Sequence, residues 1–352
     1  MNQATSDLRL AQLREWLSRY SDAPRLDVST LTPVAADASS RRYFRLQATS
    51  LAGPEGSTQD SLIAMDAPPP EKCREFATVQ ALMDAAQIKV PKIYAADFEH
   101  GFMLLSDLGS TSYLQRLQAP ELPAGEARAL MRAALDTLIA WQRATRAEVL
   151  PPYDAAFLRR ELELFPEWYL QRHLGIEVSA TQRTALDTVF ARLVDAALAQ
   201  PTVFVHRDFM PRNLMLGSPG PGVLDFQDAL MGPISYDVAS LLRDAFLSWD
   251  EDFQLDCIAW YWERAKRAGL PVRADFAEFY RELEWMGLQR HLKVLGIFAR
   301  LAHRDAKPAY LSELPRFLGY ARHVAARYRE LAPLVRLLDQ IENREAGVTY
   351  SF

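Results

Sequence analysis

The sequence predicts an α+β protein of two lobes: a small antiparallel-sheet lobe over residues 1–107 and a larger, mainly helical lobe over 108–352. Three observations carry this. Short apolar runs separated by turn residues fill the first hundred positions. Long helical periodicities take over from about residue 110. One β-rich segment, 202–228, interrupts those helices and carries polar residues at its strand tips.

The elements follow in order. MNQATSDLRLAQLREWLSRY places Leu8, Leu10, Leu13 and Trp16 at helical spacing and reads as an amphipathic helix without a secretory apolar core. RRYFRLQA (41–48), SLIAMDA (61–67) and GFMLLSDLG (101–109) read as strands, with AGPEGST (52–58) as a hairpin tip. PPPEKCREFATVQALMDAAQ opens a helix in which Phe76, Val79, Leu82 and Met83 form the buried stripe. Helices are expected over 124–145, 155–174 and 180–199, and again from about 235 onward.

Composition bounds the function. The 352 residues are 49% hydrophobic and 24% charged with a net charge of −5, which gives no reason to expect nucleic acid or an anionic membrane as partner. No apolar run approaches the roughly 20 residues that span a bilayer. Two distant cysteines, Cys73 and Cys257, predict buried thiols in a reducing, cytoplasmic setting rather than a disulfide.

The chemistry lies in VFVHRDFMPRNLML (203–216) and GVLDFQD (222–228). Asp208 and Asn213 are joined by a loop holding Pro211, and Asp225 ends a run that can pair with NLML across the turn GSPGPG. Each residue alone is an ordinary turn or capping residue. Together, two carboxylates and an amide oxygen suit a hard cation such as Mg²⁺, and one carboxylate beside them suits a base that accepts a hydroxyl proton. That combination describes phosphoryl transfer from ATP.

The same residues match the kinase template H-R-D-x-x-x-x-N followed by D-F. Asp208 is then the base, Asn213 and Asp225 the metal ligands, and His206 a brace for the loop. GPISYDVASLLRD begins only seven positions after Asp225, with no long activation segment, so the chain resembles the aminoglycoside phosphotransferase and choline kinase group of small-molecule kinases. The resemblance implies a two-lobed, protein-kinase-like fold. It also implies that Asp237, in the G-P-x-x-Y-D element, caps the catalytic loop. DASSRRYFR, LIAMDAPPP, LLSDLG and QRHLKVLGIFARL narrow the likeness to the bacterial anomeric amino-sugar kinases of cell-wall recycling. These use ATP to phosphorylate the C1 hydroxyl of N-acetylmuramate and N-acetylglucosamine, and the product implies a functional link to a sugar-1-phosphate nucleotidyltransferase. A kinase for an aminoglycoside or amino alcohol, and a pseudokinase that binds nucleotide without chemistry, stand as the alternatives.

Upstream, the template implies a nucleotide site at Ser39, Ser40, Arg42, Tyr43 and Arg45, with Arg41 as a further phosphate candidate. The backbone of Leu105 and Ser106 is expected at the adenine. The segment contains no glycine, so the small residues Ala38, Ser39 and Ser40 stand where glycines would. Met65 occupies the strand position where kinases carry a lysine, and Glu75, the expected partner of that lysine, loses its role. Either an arginine of 41–45 replaces the charge or nucleotide binding is altered. For the acceptor, Glu163 and Trp168 (with Glu167 and Tyr169) and Arg243 are the candidates. The basic segment QRHLK (289–293) reads as a solvated face, or as an attractor for an acidic sugar. Trp260 and Trp285 are expected in the core.

Overall fold

The computed structural model describes residues 3–22, 25–34, 40–50 and 58–346. They fall into two units, one comprising residues up to Ser112 with Leu214–Asp228, the other Tyr113–Asn213 with Ala229 onward.

In the smaller unit, Leu13 and Leu17, one turn apart on α1 (Gln3–Ser18), are fully covered. They pack on Leu46, Ala48, Leu62, Ala64 and Leu104, the apolar face of a five-stranded sheet. Its strands are β1 (Arg25–Pro33), β2 (Arg42–Ser50), β3 (Thr58–Asp66), β4 (Ile93–Asp97) and β5 (Phe102–Ser106), with α2 (Cys73–Ala85) between β3 and β4. The order is β1-β2-β3-β5-β4, every neighbouring pair antiparallel. The stripe on α1 differs from expectation: Leu8 is 61% exposed and Leu17 completes the buried row instead. On α2, Cys73 joins Phe76, Val79 and Met83 in the core while Leu82 is only half-buried. The expected hairpin tip lies, apart from Thr58, outside the described residues.

The larger unit begins with α3 (Tyr113–Leu117) and α4 (Glu126–Arg143). The expected helix over 155–174 is two elements, α5 (Ala155–Leu164) and a π-helix, Phe165–His173. The chain then runs through α6 (Ala180–Leu198), opened by a Ser179–Gln182 capping box, into β6 (Thr202–Val205). β7 (Leu214–Met215) and β8 (Gly222–Val223) form the hairpin that belongs to the smaller unit, and β9 (Leu230–Pro233) returns to pair antiparallel with β6. Helices α7 (Tyr236–Leu242), α8 (Glu251–Arg267), α9 (Phe276–His303), α10 (Leu314–Arg327) and α11 (Ala332–Ala346) complete it.

α9 is the central helix, buried on nearly every side between Leu283 and Ala299. Gly296 lets it approach α5: a Cβ there would stand 2.3 Å from the carbonyl carbon and oxygen of Leu164. This centrality corrects the reading of QRHLK as a solvated face, because Gln289, Arg290, His291 and Lys293 are all buried. Trp285 is in the core, edge-on to Tyr328. Trp260 is not; it lies half-buried with Arg132 and Arg264 over its ring at 4.2 and 5.1 Å. Both cysteines are buried thiols. Among the described residues, no helix is long and apolar enough to cross a membrane.

Candidate functional site

Strand alternation sorts the arginines of β2 between the two faces of the small sheet. Arg42 shares a face with Phe44 and Leu46, the face covered by α1. Its Nε donates to Asp66 at 3.0 Å, and Arg9 of α1 holds the other oxygen of the same carboxylate at 2.9 Å. Tyr43 and Arg45 point to the opposite face, where Tyr43 stands across from Met65 in the β2–β3 register. Arg45 is held by Asp107 at 2.5 and 3.1 Å and by the Gly109 carbonyl, and Ser61 donates to the same carboxylate. Arg41, just before β2, is 6% exposed, with its Nε 2.9 Å from Glu71 and its Nη1 3.7 Å from Asp225.

Glu71 accepts the backbone N–H of Ser40 at 3.2 Å and also its hydroxyl proton. Ser39, with Ala38, lies outside the described residues. Leu105 and Ser106 end β5 inside the sheet, where Ser106 gives its N–H to the Lys92 carbonyl and accepts the Lys92 N–H on its hydroxyl. Met65 is fully buried and Glu75 is exposed.

Asp225 sits beyond β8 with φ +63°, a left-handed conformation uncommon for a residue with a Cβ and often found at functional positions. Its carboxylate accepts from Gln227 at 2.9 Å and is 36% exposed. Phe226 packs on Phe76 of α2 with ring centroids 4.6 Å apart and planes tilted by 39°, and Lys72 bonds Asp228 at 2.6 Å. The β7–β8 hairpin hangs on the same unit through Leu216 N–H to Thr111 O and Val223 N–H to Lys89 O, both at 2.8 Å.

In the larger unit the loop after β6 is braced from below. Asp237, in the first turn of α7, accepts the backbone N–H of His206 at 2.7 Å and of Arg207 at 3.0 Å. Burial pushes its carboxyl up to about 7 against those two donors, and the nearby charge of Asp208 adds to the rise. His206 is fully buried; its Nδ1 accepts the Asp208 N–H at 3.3 Å, and its ring meets Phe209 edge-on. Arg207 holds φ +77°. Asn213 closes the loop, donating from its amide nitrogen to the Asp208 carbonyl at 2.9 Å. An amide oxygen is a ligand type that a hard divalent cation takes. The Asp225 carboxylate is the same class of ligand, so both side chains fit a metal of this kind.

Sequence reasoning missed the support beneath Arg207. Its guanidinium bonds Glu161 of α5 at 2.6 Å, and Lys293 of α9 reaches the same carboxylate at 3.0 Å. Tyr153 donates to Glu161 as well, Gln289 at 3.2 Å, and Lys293 also bonds the Tyr236 hydroxyl at 3.0 Å. Burial alone would raise the Glu161 carboxyl, yet the ammonium of Lys293 and the guanidinium of Arg207 hold it down at about 2. One signal existed: Glu161 falls on the apolar stripe of Leu158, Leu162 and Phe165, where a carboxylate needs partners.

The acceptor candidates are not brought together. Glu163 is spent on Arg159 at 2.7 Å and Arg183 at 2.6 Å in an ion-pair network with Asp187. Trp168 is half-buried in the π-helix, with Arg172 5.9 Å from its ring. Arg243 caps α7 in the interior, bonding Gln254 and Glu284 at 3.3 Å each.

A model of the phosphotransferase enzyme family matches residues 30–276. The N-acetylmuramate/N-acetylglucosamine kinase of Pseudomonas aeruginosa is 49% identical over 344 residues, 95% of this chain and 97% of that protein. The protein of the same name from Neisseria meningitidis serogroup B is 47% identical, covering 97% and 99% of the two chains. Among solved structures, Plasmodium vivax ethanolamine kinase superposes with a TM-score of 0.61 at 11% identity, over 91% of this chain and 89% of that one. An ADP-bound aminoglycoside phosphotransferase gives 0.55 at 12%, over 88% and 97%. At these identities the structural likeness establishes the kinase-like fold, while the matched family and the near full-length relatives establish descent. The chain belongs to the phosphotransferase enzyme family.

Proposed function

We propose that the protein is an ATP-dependent kinase that phosphorylates the anomeric C1 hydroxyl of N-acetylmuramate and N-acetylglucosamine, supplying sugar 1-phosphate for peptidoglycan recycling. The observation that carries it is the braced loop 206–213, in which Asp237 fixes two consecutive N–H groups and Asn213 fixes the carbonyl of Asp208. That loop occurs in a chain nearly half identical, over almost its whole length, to relatives named N-acetylmuramate/N-acetylglucosamine kinase.

In this reading Asp208 orients the acceptor hydroxyl and takes its proton as the oxygen attacks the terminal phosphorus of ATP. Asn213 and Asp225 hold Mg²⁺, which when bound neutralises charge on the transferring phosphoryl group. The residues contribute position and charge, the main terms in this chemistry. The small unit takes the nucleotide, through Tyr43 and the end of β5. The larger unit takes the sugar. The setting is the cytoplasm, where ATP is available and thiols such as Cys73 and Cys257 stay reduced. The product is the substrate class of a nucleotidyltransferase that makes a UDP-sugar.

ATP turnover with each sugar, followed by NMR of the product, tests this. Phosphorus coupling to the anomeric proton is expected. Turnover that neither sugar stimulates, or phosphate on another hydroxyl, overturns it.

A further inference from the structure

Kinases carry on the third strand of the small lobe a lysine that reaches the donor's phosphates and pairs with a glutamate on the following helix. Here the strand residue is Met65, fully buried, and the helix residue Glu75 is exposed. We propose that Arg41 supplies the missing cation to the phosphates of the nucleotide, with Glu71 as the carboxylate that positions it. This rests on the phosphoryl-transfer reading and names the nucleotide's partner within it.

Four observations select Arg41. It lies two residues before Tyr43, which stands across from Met65, and so falls, like Arg45 and unlike Arg42, on the side of the sheet that carries Met65. Charge lost from one strand is therefore restored from its neighbour, on the same face. It is nearly buried, and its guanidinium is aimed by Glu71 at 2.9 Å, the distance of a charge-assisted bond. Glu71 itself is tied to the Ser40 N–H and hydroxyl, so carboxylate, loop end and arginine form one unit.

Third, with Nε used on Glu71, the Nη1 edge faces Asp225 at 3.7 Å, too long for a hydrogen bond. Arg41 thus stands in a long ion pair with the carboxylate assigned to the metal. Lysine and metal aspartate stand in this relation in the kinase template, both serving the same phosphates. Fourth, the other arginines are committed: Arg42 to Asp66 on the opposite face, and Arg45 to Asp107 and Gly109. A guanidinium suits the task, since its planar fork binds phosphate oxygens two at a time.

The experiment measures binding of ADP and of adenosine by calorimetry, with Mg²⁺ and without sugar, so its outcome does not depend on which acceptor the enzyme takes. For Arg41→Met, ADP affinity should fall about 10- to 100-fold, the worth of a charge-assisted bond pair, while adenosine affinity stays within about twofold. Arg41→Lys should keep part of the ADP affinity. Glu71→Gln, which leaves the arginine but loosens its aim, should lower ADP affinity by less than Arg41→Met and leave adenosine unchanged. If ADP affinity is unchanged in folded Arg41→Met, or ADP and adenosine weaken together, the assignment is wrong. Should Arg41→Met not fold, unchanged ADP affinity in both Arg41→Lys and Glu71→Gln overturns it equally. Sugar-stimulated turnover of the wild type is the separate test of the kinase reading.

Discussion

Asp237 and His206 are joined by a 2.7 Å hydrogen bond from backbone nitrogen to carboxylate, and the second oxygen of Asp237 takes the next N–H along the chain. The loop before Asp208 is thus fixed by one buried side chain, and replacing it has a readable cost. Asp237→Asn keeps one acceptor oxygen and leaves one buried N–H unpaired, a cost of about 1–3 kcal/mol. Turnover should fall with it. The pH dependence has a definite sign. A carboxyl raised from 3.8 to about 7 on folding binds its proton more tightly when folded. Its contribution therefore declines as pH rises across that interval. The wild-type stability advantage over Asp237→Asn, measured by urea unfolding, should shrink between pH 4 and 7.

Glu161 behaves in the opposite sense. Its carboxyl is lowered from 4.5 to about 2, so its contribution is present above pH 4.5 and disappears as pH falls toward 2. The interval corresponds to about 3 kcal/mol. Glu161→Gln should lose most of this at neutral pH and flatten the acid limb of the unfolding curve. A limb as steep as the wild type's would remove Glu161 as its source.

Asp208→Asn removes the proton acceptor while leaving the backbone of the loop in place. Steady-state kinetics should show kcat reduced about 10²- to 10⁴-fold, with KM for sugar and nucleotide little changed. Wild-type turnover in this variant would refute the role given to Asp208.

Gly296→Ala should destabilise the protein by about 1–3 kcal/mol, the usual cost of overpacking. The added methyl would meet the Leu164 backbone at 2.3 Å, and backbone cannot rotate away as a side chain can. Thermal unfolding reads this directly.

Met65→Lys is the tempting repair of the template, and it should fail. Residue 65 is fully buried. An ammonium there either loses its proton, with a pKa lowered by up to about 3–5 units, or destabilises the fold. Introduced into Arg41→Met, it should not restore ADP affinity in the calorimetric assay.

The legible parts of this molecule are those where local spacing carries the information. The run from His206 to Asn213 and the short distance from Asp225 to Tyr236 name a chemistry because a single loop supplies the residues. β2, β3 and β5 are legible from apolar runs, whereas β1 is masked by the polar residues of its half-exposed alternation. Glu161 and Lys293 lie 132 positions apart, and although the apolar stripe around Glu161 calls for a partner, nothing local names Lys293 until α5 and α9 bring the two to 3.0 Å. Arg45 is set apart from Arg41 by its bonds to Asp107 and Gly109, and Arg42 from both by the face it takes, which a shift of one residue would reverse. Only the observed register, Tyr43 opposite Met65, decides that.

The family match begins at residue 30, beyond the helix that roofs the small sheet. A chain trimmed to that boundary would keep the catalytic loop yet lose Leu13 and Leu17 from above Leu46, Ala64 and Leu104. It would also strip Arg9 from Asp66, leaving Arg42 alone on a buried carboxylate. Such a fragment would present a bare greasy sheet to water and precipitate, so the smallest handleable enzyme is larger than its recognisable motif set.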